Sequence, residues 1–251
     1  MQRYEVLIIG YGVVGKYIEN ILKSEEINLQ YLDPNQNLYP DYHTNFDFAI
    51  ICVPTNLIDK TIDISIVEKV ISESSAKINI IKSTIPPGTT EYLKERYEKR
   101  IVFSPEFYGA TRHSAIQHNF VILGGDKKDT QEVAELFKKV MTGYARIIQI
   151  DSRTAELSKL MQNSFLACKV VFCNEFYRIA RSMGVDYNEL RELWLLDKRI
   201  NPSHTLVFAD QSYYDSHCLN KDIPMLIESC KKYNPRFIKA ILQNNERFKY
   251  A

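Results

Sequence analysis

Three groups of residues have types and spacings suited to chemistry. Cys218 lies in His217-Cys218-Leu219-Asn220-Lys221-Asp222, so a thiol is followed three residues later by a cation and four residues later by a carboxylate. A base and a cation near a thiol can tune it as a nucleophile. Lys159 and Asn163 are four apart, so on a helix they share a face and can reach one small substrate together. Gly10-Tyr11-Gly12-Val13-Val14-Gly15 follows a short apolar run and precedes residues with helical spacing. Its glycines permit a tight turn, close approach of backbone to a pyrophosphate and close packing of helix on strand. The helix start beyond them offers free N–H groups and a positive dipole end to phosphate. Asp33 follows Gly15 by 18 residues, at a strand end where a carboxylate would hold the adenosine ribose hydroxyls and favour NAD over NADP. A dinucleotide site at one end and a thiol at the other point to oxidation through a covalent intermediate. Taken singly, each group has a plainer reading: a glycine-rich turn without ligand, a solvated helix face, a buried cysteine acting as a small hydrophobe.

The elements that must position these groups fall into two halves, giving an α/β chain. Up to about residue 150, apolar strand-like runs alternate with helical stretches. Tyr4 to Ile9, Asn28 to Leu32, Phe46 to Val53, Ile78 to Ile81, Ile101 to Phe103 and Phe120 to Leu123 read as strands. Helical spacing covers Val14 to Leu22 and Thr130 to Met141, and the pattern implies a doubly wound Rossmann sheet over residues 1–150. Residues 151–251 read as all-helical. A long helix from about Thr154 to Met183 ends at Gly184, and a second, capped by Asp186 with Glu189, runs through Leu196. Arg199 to Asp215 lacks periodicity and reads as a loop, and a last helical stretch begins near Ile223, breaks at Pro235 and resumes towards Phe248.

Bulk composition narrows the classes. The 251 residues suffice for a real core in one or two domains, and apolar (45%) and charged (25%) fractions are those of an ordinary globular protein. A formal charge of +1 gives no basis for nucleic-acid binding or for attraction to an anionic membrane. No apolar run approaches the roughly 20 residues that cross a bilayer. Five cysteines, odd in number and irregular in spacing, do not form a disulfide framework, so a reduced, cytoplasmic protein is expected. No metal-ligand spacing stands out.

Eight stretches, in order along the chain, resemble the UDP-glucose/GDP-mannose dehydrogenase family. Ile51-Cys52-Val53-Pro54-Thr55 is similar to its third-strand end and Ser83-Thr84-Ile85-Pro86-Pro87-Gly88-Thr89 to its S-T-[VI]-P-x-G-T loop. Ser104-Pro105-Glu106-Phe107 resembles its [NS]-P-E-F. Glu156-Leu157-x-Lys159, Asn163-Ser164-Phe165-Leu166-Ala167 and Asn174-Glu175 match its central helix. Asp197-Lys198-Arg199-Ile200 and Cys218-Leu219-x-Lys221-Asp222 match D-x-R-I and C-[FL]-P-K-D.

The resemblance implies a four-electron oxidation of a nucleotide-sugar primary alcohol to the carboxylate, with NAD as oxidant and Cys218 as the nucleophile that carries a thioester. It implies that Lys159 and Asn163 stabilise a developing oxyanion and contact substrate. Asp222 and Thr84 would position a water, and Glu106 would be the base for thioester hydrolysis. Gly10, Gly12, Val13, Val14, Gly15, Asp33, Val53, Pro54 and Thr84 would line the cofactor. Phe107 would contact substrate, and Arg199 would reach the substrate site of a second copy. The long helix would then be the core of a homodimer, which also gives its apolar stripe a partner.

Three departures qualify the transfer. The family's glycine-rich approach to the cysteine is here Tyr214-Asp215-Ser216-His217, which lacks the glycines that allow close approach to a ligand. Ala110 stands where the family usually has a second glutamate, and with Gly109-Ala110-Thr111-Arg112 rearranged, Arg112 would be a contact for an anionic substrate. The sequence stops about where the family's linker enters a third, nucleotide-sugar-binding domain, so that domain would come from a separate chain, or the substrate would be smaller, or turnover would be weak. Two other readings stay open: a 3-hydroxyacid-type dehydrogenase that uses Lys159 and Asn163 without the cysteine, and an NAD-binding dimer without turnover.

Overall fold

The computed structural model describes residues 3–59, 61–108, 118–141, 143 and 145–250. Ala110 and Arg112 lie outside them. The described chain divides into two compact units, one running up to Lys159 and the other from Leu160 onward.

The first unit is built on strands whose two faces are both apolar. In β1 (Tyr4–Ile9), Val6 and Ile8 enter one core while Leu7 and Ile9 enter the other. β3 (Phe48–Ile51) repeats this, with Phe48 and Ile50 on one side and Ala49 and Ile51 on the opposite side. Continuous β-branched runs are what a strand covered by helices on both faces requires. The other strands among the described residues are β2 (Ile27–Leu32), the paired β4 (Leu57–Ile58) and β5 (Thr61–Ile62), β6 (Ile78–Ile81), β7 (Ile101–Phe103), β8 (Phe120–Gly124) and β9 (Arg146–Ile150). The main sheet has the order β2-β1-β3-β6-β7-β8-β9. β2, β1, β3, β6 and β7 pair in parallel, β8 joins antiparallel through Phe103 and Gly124, and β9 runs parallel to β8.

Helices α1 (Val13–Leu22) and α4 (Lys127–Lys138) supply Ile18, Leu22, Val133 and Phe137 to the core on one face. Helices α2 (Ser65–Glu73) and α3 (Thr89–Tyr97) supply Val67, Ile71 and Leu93 on the other. The strand order turns back between β1 and β3, and the carboxyl ends of the strands there carry the glycine turn. The Rossmann expectation is met in this arrangement, with a third strand shorter than Phe46 to Val53 and a sheet-edge strand, β9, that periodicity alone did not mark.

α5 (Ser152–Ser182) has 31 residues and is followed by Gly184 at a φ of 72°, a left-handed conformation that favours glycine. In the second unit it is followed by α6 (Tyr187–Trp194), capped by the Asp186 carboxylate on the Asn188 N–H. α7 (His217–Ser229) and α8 (Arg236–Lys249) come next. Ala167, Val170 and Val171 of α5 pack with Leu219, Ile223, Ile241 and Phe248. α7 starts six residues before the expected Ile223. The Ser216 hydroxyl accepts from the Leu219 N–H at 3.2 Å and caps it, so His217 and Cys218 belong to a helix and not to a loop.

Candidate functional site

The three glycines of the opening turn have different jobs. Gly10 has φ 86°, and a Cβ there would lie 2.7 Å from the Cys52 carbonyl oxygen. A Cβ on Gly15 would lie 2.2 Å from the Gly10 carbonyl, so its absence lets α1 sit against the turn. Gly12 is different: a Cβ there would meet nothing within 4 Å. Gly12 is also the N-cap of α1, which has no side-chain cap and no acidic residue in its first turn. The helix therefore presents unbonded N–H groups of Val13, Val14 and Gly15 behind a clear approach, an arrangement that fits a pyrophosphate.

Asp33 closes β2 beside this turn. Its Oδ2 accepts from the Tyr11 N–H and from Gln36 Nε2, both at 2.9 Å, and its Oδ1 accepts from the Asn35 N–H at 3.1 Å. The Tyr11 amide, more than any other neighbour, holds this carboxyl below the usual carboxylate range. The Tyr11 side chain is pinned in turn, with its hydroxyl on Glu19 and its ring 4.8 Å from that of Tyr31. Donors on an ionised carboxylate and an open helix start fit the adenosine diphosphate half of a dinucleotide, so the residues present suit NAD.

At the carboxyl end of β3, Val53 is buried and Pro54 exposed. Thr55 Oγ1 donates to the Thr84 carbonyl at 2.9 Å, and Ser83 Oγ to the Val53 carbonyl at 2.6 Å. The two expected cofactor-lining loops are thus tied to each other.

Thr84 heads the turn Ile85 to Gly88, and that turn is anchored by a residue that sequence reasoning left without a role. Glu156, wholly buried in the first turns of α5, accepts from the Gly88 N–H, the Thr90 N–H at 2.9 Å and the Thr90 hydroxyl at 2.6 Å. Burial raises its carboxyl above the ordinary value. Gly88 has φ 93°, a conformation that leaves its N–H turned to this carboxylate. The sequence signal for Glu156 was its place in Glu156-Leu157-x-Lys159, one turn before Lys159.

Glu106, expected to be the base for thioester hydrolysis, has partners. Its Oε1 accepts from the Phe107 and Tyr108 N–H groups at 2.8 Å each, and its Oε2 is 3.6 Å from Lys82 Nζ. Lys82 is buried, donates to Ser104 Oγ at 3.0 Å and lies 5.4 Å from the Phe137 ring centre. A cation closing the apolar run Ile78 to Ile81 was the signal for it. Lys159 is buried too, with its ammonium 5.1 Å from the centre of the Phe107 ring, which places two of the sequence-selected residues in contact.

In the second unit, Asn163 Nδ2 donates to Asp222 Oδ2 at 2.5 Å, and Lys221 Nζ donates to Asp222 Oδ1 at 2.7 Å. Asp222 is 1% exposed and both partners are buried, so a carboxylate, a carboxamide and an ammonium form one satisfied cluster. Cys218 is exposed and is the second residue of α7, one turn ahead of Asp222. The N-terminal turn of a helix leaves N–H groups unbonded and favours negative charge. Arg199 is exposed and folds back on Asp197 through its Nε and Nη2, the latter at 2.6 Å. Among the described residues no group of three or more His, Cys, Asp or Glu side chains could hold a metal, and no helix is long and apolar enough to cross a membrane.

Comparison with known proteins matches residues 35–141 to the NAD binding domain of the UDP-glucose/GDP-mannose dehydrogenase family and residues 153–247 to its central domain. The UDP-glucose 6-dehydrogenase of Campylobacter jejuni is 32% identical over 230 residues, covering 87% of this chain and 57% of the relative. The UDP-N-acetyl-D-mannosamine dehydrogenase of Methanocaldococcus jannaschii is 30% identical over 80% of this chain and 48% of its own length. The chain thus spans about half the length of these curated relatives. Among solved structures, a UDP-glucose dehydrogenase from Pyrobaculum islandicum superposes with a TM-score of 0.80 at 23% identity, over 98% of this chain and 68% of that one.

Proposed function

Because the chain belongs to the UDP-glucose/GDP-mannose dehydrogenase family, we propose that it takes part in oxidation of a nucleotide-sugar primary alcohol to the carboxylate. The observation that carries this reading is the match to the family's NAD binding domain and central domain, in order, along one chain. Gly12, the start of α1 and Asp33 would hold NAD, with Val53, Pro54 and Thr84 along its length. Bound there, NAD supplies a hydride acceptor, used twice for each alcohol taken to the acid.

The chain's own residues carry the rest. Lys159 places a buried ammonium where negative charge develops on the alcohol oxygen, and Asn163 adds a donor; fixed groups of this kind stabilise a transition state without reorganising. Cys218 Sγ bonds to the aldehyde carbon, giving a thiohemiacetal whose oxidised form is a thioester. Water attacks that carbonyl, the C–S bond breaks, and the thiol and a carboxylate are released. Asp222, which accepts from Asn163 and Lys221, would orient the water and accept its proton, and Thr84 would share in holding that water. Glu106 is the second acceptor, through Oε2. Phe107 forms part of the sugar's surroundings, and Arg199 exchanges Asp197 for the substrate of a second copy. That second copy packs along α5, where Met161, Phe165, Phe172, Phe176 and Ile179 are exposed within about 60° of helix surface, continued by exposed Met183 just past its end. A nucleoside diphosphate needs further contacts, which a separate chain or additional sequence would provide.

The test is stoichiometric. The chain is incubated with NAD and a panel of UDP- and GDP-sugars, and NADH is counted against acid formed. Two NADH per acid, with acid formation abolished and NAD binding kept in Cys218→Ala, is the expected result. One NADH per product, unaffected by Cys218→Ala, or NAD binding without turnover of any sugar, overturns it.

A further inference from the structure

This inference rests on the reading of NAD at the glycine turn and extends it to a residue outside that motif. After β2 the chain forms a 3-10 turn, Pro34–Gln36, capped by the Asp33 carboxylate. The Gln36 amide uses both of its N–H donors. One goes to the Tyr11 carbonyl at 2.8 Å and the other to Asp33 Oδ2 at 2.9 Å. Since the Tyr11 N–H also reaches Oδ2, that oxygen accepts two hydrogen bonds, and the Tyr11 carbonyl takes a third that ties the same two loops together. A carboxylate oxygen accepts about two such bonds. Oδ2 is therefore saturated, whereas Oδ1, among the described residues, accepts the Asn35 N–H at hydrogen-bond distance and has the Gln36 backbone N–H as a weaker neighbour of the carboxylate, so it keeps capacity for a stronger donor. Pro34, next to the carboxylate, has no N–H to offer an anion.

We propose that Gln36 is a positioning residue that makes the adenosine end specific for a free 2′-hydroxyl: it occupies Oδ2, locks the carboxylate to the glycine turn and leaves Oδ1 as the hydroxyl acceptor. A 2′-phosphate would bring negative charge and no suitable donor to that oxygen. A ribose hydroxyl brings a proton. Discrimination thus depends on the orientation of Asp33 as well as on its charge, and Gln36 sets the orientation.

The experiment titrates the 251-residue chain and its Gln36→Ala variant calorimetrically with NAD, NADP and NAD lacking the adenosine 2′-hydroxyl. In the unaltered chain, loss of the hydroxyl should weaken binding at least about tenfold, as expected for a hydrogen bond to a charged acceptor. In Gln36→Ala, NAD should weaken by about fivefold and the penalty for the missing hydroxyl should shrink towards about twofold, because the two groups are coupled. Gln36→Arg should narrow the gap between NAD and NADP. A merely structural role would lower the melting temperature and weaken all three ligands alike, leaving the hydroxyl penalty intact, and that result overturns the proposal. Should Gln36→Ala fail to fold, Gln36→Glu, of the same size but without the donors, gives the same comparison. If the unaltered chain binds no dinucleotide, the cofactor reading itself falls and takes this inference with it. If NAD binds and Gln36→Ala changes nothing, only the inference falls.

Discussion

Lys82 and Glu106 show how a residue's partners decide its role. The carboxylate sits beside a buried ammonium and accepts two backbone N–H groups. Removing one member of such a pair leaves the other charged and poorly solvated, at a cost of about 3–5 kcal/mol. Lys82→Met should lower stability by that order in urea unfolding, and the double variant Lys82→Met, Glu106→Gln should recover most of the loss. Equal losses in the single and double variants would rule the pairing out. Glu156 makes a prediction of opposite electrostatic sign. Burial raises its folded-state value above the unfolded one, so the native chain holds its proton more tightly. That contribution is fully present below pH 4.5, its ordinary value, and is lost as pH rises through the raised value. The stability of the unaltered chain relative to Glu156→Gln should therefore fall with rising pH across that window, as followed by denaturant midpoints; a flat difference would contradict it. Glu106, Lys159, Asn163, Asp222 and Cys218 stand out in the sequence because their types and spacings match a family pattern. The sequence could not show that Glu106 is already engaged by Lys82, because the two are 24 positions apart and the contact exists only once β6 and β7 pair.

At the level of elements, strands were easy to read and helix ends were not. Both-face burial writes itself into continuous apolar runs, so β1, β3 and β6 stand out with little ambiguity. α7 did not, because its first turn is polar and contains no apolar periodicity until Leu219. What starts it is a cap: Ser216 Oγ on the Leu219 N–H, reinforced by Asn220 Nδ2 donating to Asp215 Oδ1 at 2.7 Å. The polar stretch that departs from the family's glycines thus has its own structural logic. Ser216→Ala should cost about 0.5–2 kcal/mol and loosen the turn that carries Cys218. Hydrogen exchange at residues 219 and 220 would register it, and unchanged protection there would refute the cap. Pro224, inside the same helix, removes one backbone donor, so the first two turns depend on that cap more than an uninterrupted helix would.

For the whole molecule, the exposed face of α5 is the main unresolved demand on stability. Six large apolar side chains in a stripe exceed what a lone surface helix usually leaves in water. A second copy of the chain is the proposed cover. Phe165→Glu with Phe172→Glu should shift sedimentation equilibrium from dimer to monomer without altering the far-ultraviolet spectrum, and a monomer in the unaltered chain at micromolar concentration would contradict the arrangement. The division into a Rossmann unit and a helical unit was legible from alternating and then helical spacing. The position of the division inside α5 was not, since an uninterrupted helix gives no compositional sign of a boundary.

The carboxylate of Glu156 answers amides 66 and 68 positions earlier in the chain. A ribosome must therefore release most of the Rossmann unit, and then the opening turns of α5, before the Ser83–Thr90 corner can find its anchor. Such distant closure comes late because its entropy must be met before the contact rewards it. A nascent chain halted short of residue 156 would carry a sheet whose reactive corner is still untethered.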